Sequence, residues 1–186
     1  QFILMKKIEL IMKINLKKVS QPIKINQKKF FDQRGYFQEI FLKKYFNLDV
    51  KFTALAKSKK NVIRGLHFQI KNQQTKLLHV TEGKIIDVVI NLKKKSPNFG
   101  KVSKFLLNDG DMLFIPKHYG HGYECLSKKC TVLYHLEKYR DAKNESGINC
   151  YDKKVKSKWV TKKPILSKRD NSLISFNEFK KKYKTL

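Results

Sequence analysis

Arg64-Gly65-Leu66-His67-Phe68-Gln69 opens an apolar alternating run, and its period of two decides how the neighbouring segments are read. On a strand, successive side chains point to opposite faces, so His67 and Gln69 share a face. If that face lines a pocket, an imidazole sits among apolar walls with the Arg64 guanidinium nearby. Such a histidine suits a general base acting on an anionic substrate. It also suits a half-buried structural histidine, and the hexapeptide alone favours that plainer role.

Working outward, short alternating runs continue over residues 14–134. Examples are Ile23-Lys24-Ile25, Leu77-Leu78-His79-Val80 and residues 84–92, 102–107 and 112–115. Turn signals separate them: Asp32-Gln33-Arg34-Gly35, Thr81-Glu82-Gly83, Ser96-Pro97-Asn98, Asn108-Asp109-Gly110-Asp111 and Pro116. Many short strands at near-regular spacing predict an all-β, antiparallel sandwich or barrel. A short helix is expected around residues 39–46. Phe176, Phe179 and Tyr183 recur at helical spacing and predict an amphipathic C-terminal helix. Residues 13–186 are read as one β domain with a short helical tail. Residues 1–12, apolar with two lysines and with Met5 and Met12 as alternative starts, are read as a non-native or flexible extension.

A chain of 186 residues with 41% hydrophobic and 12% aromatic residues is long enough to bury one core and is not of disordered composition. The net charge of +27 comes from 42 Lys+Arg against 15 Asp+Glu and raises nucleic acid as a partner. The distribution argues against it. Lysines fall in pairs and triplets along the whole chain, as at Lys17-Lys18, Lys59-Lys60 and Lys93-Lys94-Lys95, with no nucleic-acid-binding motif among them. Such a surface still attracts anionic small molecules. Three cysteines and no secretory signal suit a reduced, cytoplasmic chain, and Cys125 and Cys130 lack a second pair of ligands for zinc. No apolar run is long enough to cross a membrane.

Four residues besides His67 carry candidate chemistry. Lys76 stands one short loop after His67, and a hairpin over residues 68–77 would bring it back beside the histidine; on base rates it is one exposed lysine among many. Tyr134 shares a strand face with Val132 and Leu136 and so points inward, either to a structural hydrogen bond or as a proton donor with a neutral phenol. His121, between two glycines, is either close to a ligand or part of a flexible turn. Asp170 is either a helix cap or the partner that orients a catalytic imidazole. Metal-binding β-barrels offer two histidines one residue apart. Here the second place is Gln69, and a neutral amide is a poor zinc ligand. No metal is expected, and the proton chemistry falls to side chains.

The segments FFDQRGYFQE, SKKNVIRGLHFQ, KLLHVTEGKIIDVVINLKKKSPNFGK, LFIPKHYGHGYECLS, VLYHLEKY and ILSKRD, in this order and spacing, resemble the dTDP-4-dehydrorhamnose 3,5-epimerases. These are metal-independent enzymes with a cupin-type jelly roll, and the resemblance spans about residues 23–170. It implies a cofactor-free reaction on a nucleotide-linked 4-keto-6-deoxy sugar, with proton removal and return at C3 and C5. It implies His67 as base, Asp170 as its dyad partner, Tyr134 as acid on the other face and Lys76 against the enolate oxygen. Arg34, Glu39, Arg64, His121, Glu145 and Arg169 fall at substrate-contacting positions, the last where a lysine is usual. A homodimer is implied, with some substrate contacts crossing its interface. Three departures alter the recognition shell. Phe52 and Ala54 stand where the family has Gln-x-Asn, and Arg140 stands where a tyrosine stacks on the base, with Tyr139 one place early. A guanidinium can also stack on a ring. The alternatives are a single-site epimerase, a related ketoisomerase acting on a nucleotide sugar, and a non-catalytic sugar-binding jelly roll.

Overall fold

The structure, a computed structural model, describes residues 8–9 and 15–183. The first strands are β1 (Ile8–Glu9), β2 (Ile23–Asn26), β3 (Phe30–Asp32) and β4 (Gly35–Phe37), followed by one helical turn, α1 (Lys43–Phe46). The body of the fold comprises β5 (Phe52–Lys59), β6 (Ile63–Gln69), β7 (Lys76–Glu82), β8 (Lys84–Asn91) and β9 (Val102–Asn108). It continues with β10 (Asp111–Ile115), β11 (Tyr119–Cys125), β12 (Lys129–Leu136) and β13 (Glu145–Gly147), before α2 (Lys168–Asn171) and α3 (Phe176–Lys182). Of residues 1–12, read above as an extension, only β1 is described, and it pairs in parallel with β2.

Two sheets face each other, in the orders β1-β2-β10-β7-β12-β5 and β13-β6-β11-β8-β9, while β3 and β4 form a separate hairpin. Apart from β1–β2, the strand pairings are antiparallel. Most consecutive strands lie in opposite sheets, which is the jelly-roll arrangement. The hairpin expected over residues 68–77 therefore does not form. β6 and β7 belong to different sheets, and six residues carry the chain across the roughly 10 Å between them.

The apolar residues sort into three layers. Leu78, Val80, Ile85, Val89, Leu113, Tyr123 and Val132 fill the space between the sheets. Leu66, Phe68, Val88 and Ile90 cover the outer face of the five-stranded sheet and meet Phe176 and Phe179 of α3. Ile25, Leu77, Met112 and Phe114 line the outer face of the six-stranded sheet under Leu16, Phe46 and Leu48. Strands buried on both faces explain why β8 reads as a nearly continuous apolar run.

The predicted tail helix is α3. Ser175 caps it in a reciprocal box with Glu178, and Phe176 and Phe179 are its buried face. Phe68 meets Phe179 edge-on at 5.3 Å and 85°. Each buried phenylalanine contributes about 1.5–3 kcal/mol. The helix expected over residues 39–46 shrinks to the four residues of α1, because Leu42 offers no side-chain cap and Asn47 turns left-handed at φ 48°.

Candidate active site

The opening hexapeptide forms β6, and a bulge shapes it. His121 stands opposite His67 and Tyr123 opposite Arg64, so Gly65 and Leu66 together face Gly122. The close approach requires glycine on both strands. A Cβ on Gly65, whose φ is +112°, would lie 2.7 Å from Gly122 Cα, and one on Gly122 would lie 2.5 Å from the Arg64 carbonyl oxygen. Arg64 Nε donates to Ser58 Oγ at 2.9 Å, and Ser58 shares a 2.8 Å hydrogen bond with the interior Tyr123 hydroxyl.

Leu66 and Phe68 pack outward against the C-terminal segment, which leaves His67 facing the interior. His67 Nε2 lies 2.6 Å from Asp170 Oδ1, with side-chain exposures of 26% and 6%. Asp170 sits in the first turn of α2. Its backbone N–H donates to Ser167 Oγ, so Ser167, not Asp170, is the cap. The Gly65 N–H donates to Asp170 Oδ2 at 3.4 Å. Burial raises the Asp170 carboxyl, but the His67 hydrogen bond and charge, with the Gly65 and Ser167 contacts, outweigh it and hold the group below its ordinary value. It stays ionised beside the imidazole.

Lys76, Leu78 and Val80 share a face of β7, so Lys76 enters the same interior from the opposite sheet. It is buried, not exposed as base rates suggested, and has no ion-pair partner among the described residues. Burial pulls its ammonium down to about 8, against the opposing charge of Glu145. Tyr134, on β12, packs against the interior cluster with its ring 6.2 Å from that of His121. Burial pushes its phenol well above its ordinary value, which keeps the proton on oxygen.

His121 is no flexible turn. It is buried in the middle of β11, with Nδ1 3.2 Å from Asp87 Oδ2. Glu145, on β13, stands opposite Gln69 and joins two guanidiniums, Arg140 at 2.7 Å and Arg169 at 3.2 Å. Burial raises the Glu145 carboxyl, but the two arginines lower it further. Arg140 is thus tied to a carboxylate, while Tyr139 stacks on Phe52 at 6.0 Å and 15°. The aromatic surface at this rim belongs to Tyr139 and Phe52, not to Arg140.

Arg34 and Glu39 are not brought to this cluster. Arg34 tops the β3–β4 hairpin, pairs with Asp32 at 2.6 Å and is 91% exposed; Glu39 is also exposed. Sequence reasoning missed Asp87. The signal was its inward position on β8, in step with Ile85 and Val89. A cavity of about 640 Å³ opens elsewhere, between residues 16–21, the 93–98 loop and Tyr119, and holds none of the four proposed proton-handling groups. Among the described residues no three His, Cys, Asp or Glu side chains are placed to hold a metal ion. No helix among them is long and apolar enough to cross a membrane.

The site thus holds an imidazole–carboxylate dyad joining β6 to α2, a buried lysine on β7 and, on β12, a phenol that keeps its proton. A family model described as dTDP-4-dehydrorhamnose 3,5-epimerase matches residues 17–178. The chain belongs to this epimerase family. It is similar to the dTDP-4-dehydrorhamnose 3,5-epimerase of Shigella flexneri, 34% identical over 152 residues that cover 77% of this chain and 84% of that one. A crystal structure of the Bacillus anthracis family member, with TDP and PPi bound, is similar at a TM-score of 0.79 and 33% identity, covering 83% of this chain and 94% of that one. The Legionella pneumophila epimerase in complex with dTDP-4-keto-L-rhamnose is similar at a TM-score of 0.79 and 28% identity, covering 88% and 92%. The cupin jelly roll of these epimerases is the fold found here.

Proposed function

We propose that this chain epimerises dTDP-4-dehydro-6-deoxyglucose to dTDP-4-dehydrorhamnose, with its own side chains moving each proton. The observation that carries the reading is the 2.6 Å contact of His67, on one sheet, with Asp170 of α2, set against Lys76 and Tyr134 on the other sheet.

The 4-ketone acidifies the hydrogens at C3 and C5. With Nε2–H donated to the ionised Asp170, the lone pair of His67 lies on Nδ1, which takes the proton from carbon. The electron pair moves to the carbonyl oxygen, and Lys76 meets the enolate charge that forms there. The enolate collapses as Tyr134 gives its proton to the opposite face of the same carbon, and solvent restores both groups. Each acid–base step supplies roughly 10²–10⁴-fold. Asp170 stabilises the imidazolium that forms when His67 takes the proton. Arg64 and Arg169 suit the diphosphate end of the substrate, since guanidinium forks match phosphate oxygens, and Glu145 holds the Arg169 fork in place.

Arg34 and Glu39 serve the site of a second copy in this reading. Their hairpin is too exposed to stand alone, with Phe31 at 75% and Phe37 at 67%, and it matches a segment that contacts substrate in the family. A homodimer covers the aromatics and delivers Arg34 to the partner's diphosphate.

Phe52 and Ala54 favour a second reading, in which the same chemistry acts at one carbon or on another nucleotide. Incubation with dTDP-4-keto-6-deoxyglucose in D₂O, followed by NMR, separates them. Label at C3 and C5 is expected. Label at one carbon indicates a single-site epimerase, and no label on any nucleotide 4-keto sugar refutes the epimerase reading.

A further inference from the structure

The steps above leave Asp87 unused, yet it lies at the centre of the interior. It sits on β8 between Ile85 and Val89 and is 0% exposed. Its Oδ2 is 3.2 Å from His121 Nδ1, and its Oδ1 has no partner. The other ring nitrogen, Nε2, makes no hydrogen bond among the described residues. His121 stands opposite His67 in register, and its ring lies 6.2 Å from that of Tyr134. The imidazole is thus held from behind by Asp87, with its free nitrogen left for a ligand.

Two proton arrangements fit the contact. A carboxylate can accept Nδ1–H, which leaves Nε2 an acceptor. A carboxylic acid can instead donate to Nδ1, which makes Nε2–H a donor. The bare Oδ1 decides between them. An anionic oxygen that is fully buried and accepts no hydrogen bond from the protein is far costlier to bury than the carbonyl oxygen of a neutral acid. Burial accordingly pushes the Asp87 carboxyl well up, against the pull of Lys76. Burial, with Lys76 and His67, pushes His121 well down. Both partners are driven toward neutrality. The charged and titratable groups that face the pair include Lys76 on β7, His67 on β6, Tyr134 on β12 and Tyr123 on β11, which stands opposite Asp87; Glu145 acts on Lys76 and Arg64 on Tyr134.

We propose that Asp87 is a positioning residue: as a neutral acid it donates to His121 Nδ1, fixes the Nε2–H tautomer and so makes His121 a donor, beside Lys76, to the sugar carbonyl oxygen. The proposal deepens the epimerase reading and rests on it for the identity of that oxygen. A neutral donor suits an oxygen that gains charge during the reaction. Its hydrogen bond strengthens as the enolate forms, without a second full cation beside Lys76.

The test begins on the unliganded wild-type protein, by ¹⁵N NMR of the His121 ring at pH 7, assigned by its loss in His121→Gln. The expected result is a protonated Nε2 and an unprotonated Nδ1. A protonated Nδ1 overturns the proposal, whatever the enzyme acts on, so this arm is independent of the epimerase reading. The second arm is kinetic. Asp87→Val should lower kcat about 10- to 100-fold with KM little changed, because the lost donor acts mainly in the transition state. Asp87→Asn, whose amide N–H can donate to Nδ1, should restore most of the rate. A folded Asp87→Val with wild-type kcat overturns the proposal. Should that variant not fold, the ring NMR decides alone.

Discussion

Replacing Asp170 by Asn keeps the side-chain shape and removes the charge that faces His67. The wild-type contact is a 2.6 Å hydrogen bond to a carboxylate that is 6% exposed. Hydrogen bonds to charged groups contribute about 1.5–3 kcal/mol. If that interaction is expressed as the imidazolium forms, its loss slows proton abstraction about 10- to 150-fold. An amide that turns its N–H toward His67 also places the wrong proton on the ring, which adds to the loss, up to about 10⁴-fold in all by analogy with a triad aspartate. If one base serves both carbons, exchange at C3 and at C5 should fall by the same factor. Deuterium incorporation resolved by carbon measures both. A folded Asp170→Asn within threefold of wild type, or one that loses exchange at a single carbon, would refute the reasoning. The substitution also changes acid stability. Asp170 is held below its unfolded value, so its contribution is fully present above about pH 4 and is lost as pH falls through the folded value. The wild-type advantage over Asp170→Asn in chemical denaturation should therefore shrink on acidification.

Lys76→Met should cost about 10²–10³-fold in kcat, as expected for loss of a group that faces a developing oxyanion. Burial holds the Lys76 ammonium at about 8, so wild-type kcat should fall above that pH. Between pH 8 and about 10.5 the unfolded chain keeps a proton that the folded chain has lost, so this group makes stability rise with pH there, an effect absent from Lys76→Met. Tyr134→Phe should cut product formation about 10²–10⁴-fold while deuterium still washes into unreacted substrate, because the base remains; parallel loss of both would contradict separate acid and base roles. Phe31→Asp with Phe37→Asp should convert a dimer to monomers in light scattering and lower activity through loss of Arg34 from the partner's site. A dimer that survives would show that the hairpin is not its seam.

The strands were legible because period-two alternation is local, and β2, β7, β8, β9, β10 and β12 fall where the pattern put them. Their partners were not. The link between β6 and β7 reads like a hairpin loop, and only the packing of two sheets sends it across instead. His121 looked like a turn residue because it lies between glycines. Gly122 is there for a different reason, the close passage of Arg64 across the bulge. Asp87 is a single polar letter in an apolar strand, and its position in step with Ile85 and Val89 is what places it inside. The family resemblance supplied His67, Lys76, Tyr134 and Asp170, and the fold converges these four from four separate elements. It also supplied Arg34, whose hairpin projects from the chain, and no local pattern tells which subunit's site an exposed hairpin serves. The substituted rim was harder still. No residue pattern marks that Glu145, five residues on, ties up the Arg140 guanidinium.

The central claim is that one imidazole abstracts both protons. It is tested most directly with His67→Asn in D₂O, given dTDP-4-keto-6-deoxyglucose and followed by NMR to many times the wild-type half-life. The account predicts no deuterium at C3 or at C5 in a folded protein, and label at either carbon would contradict it.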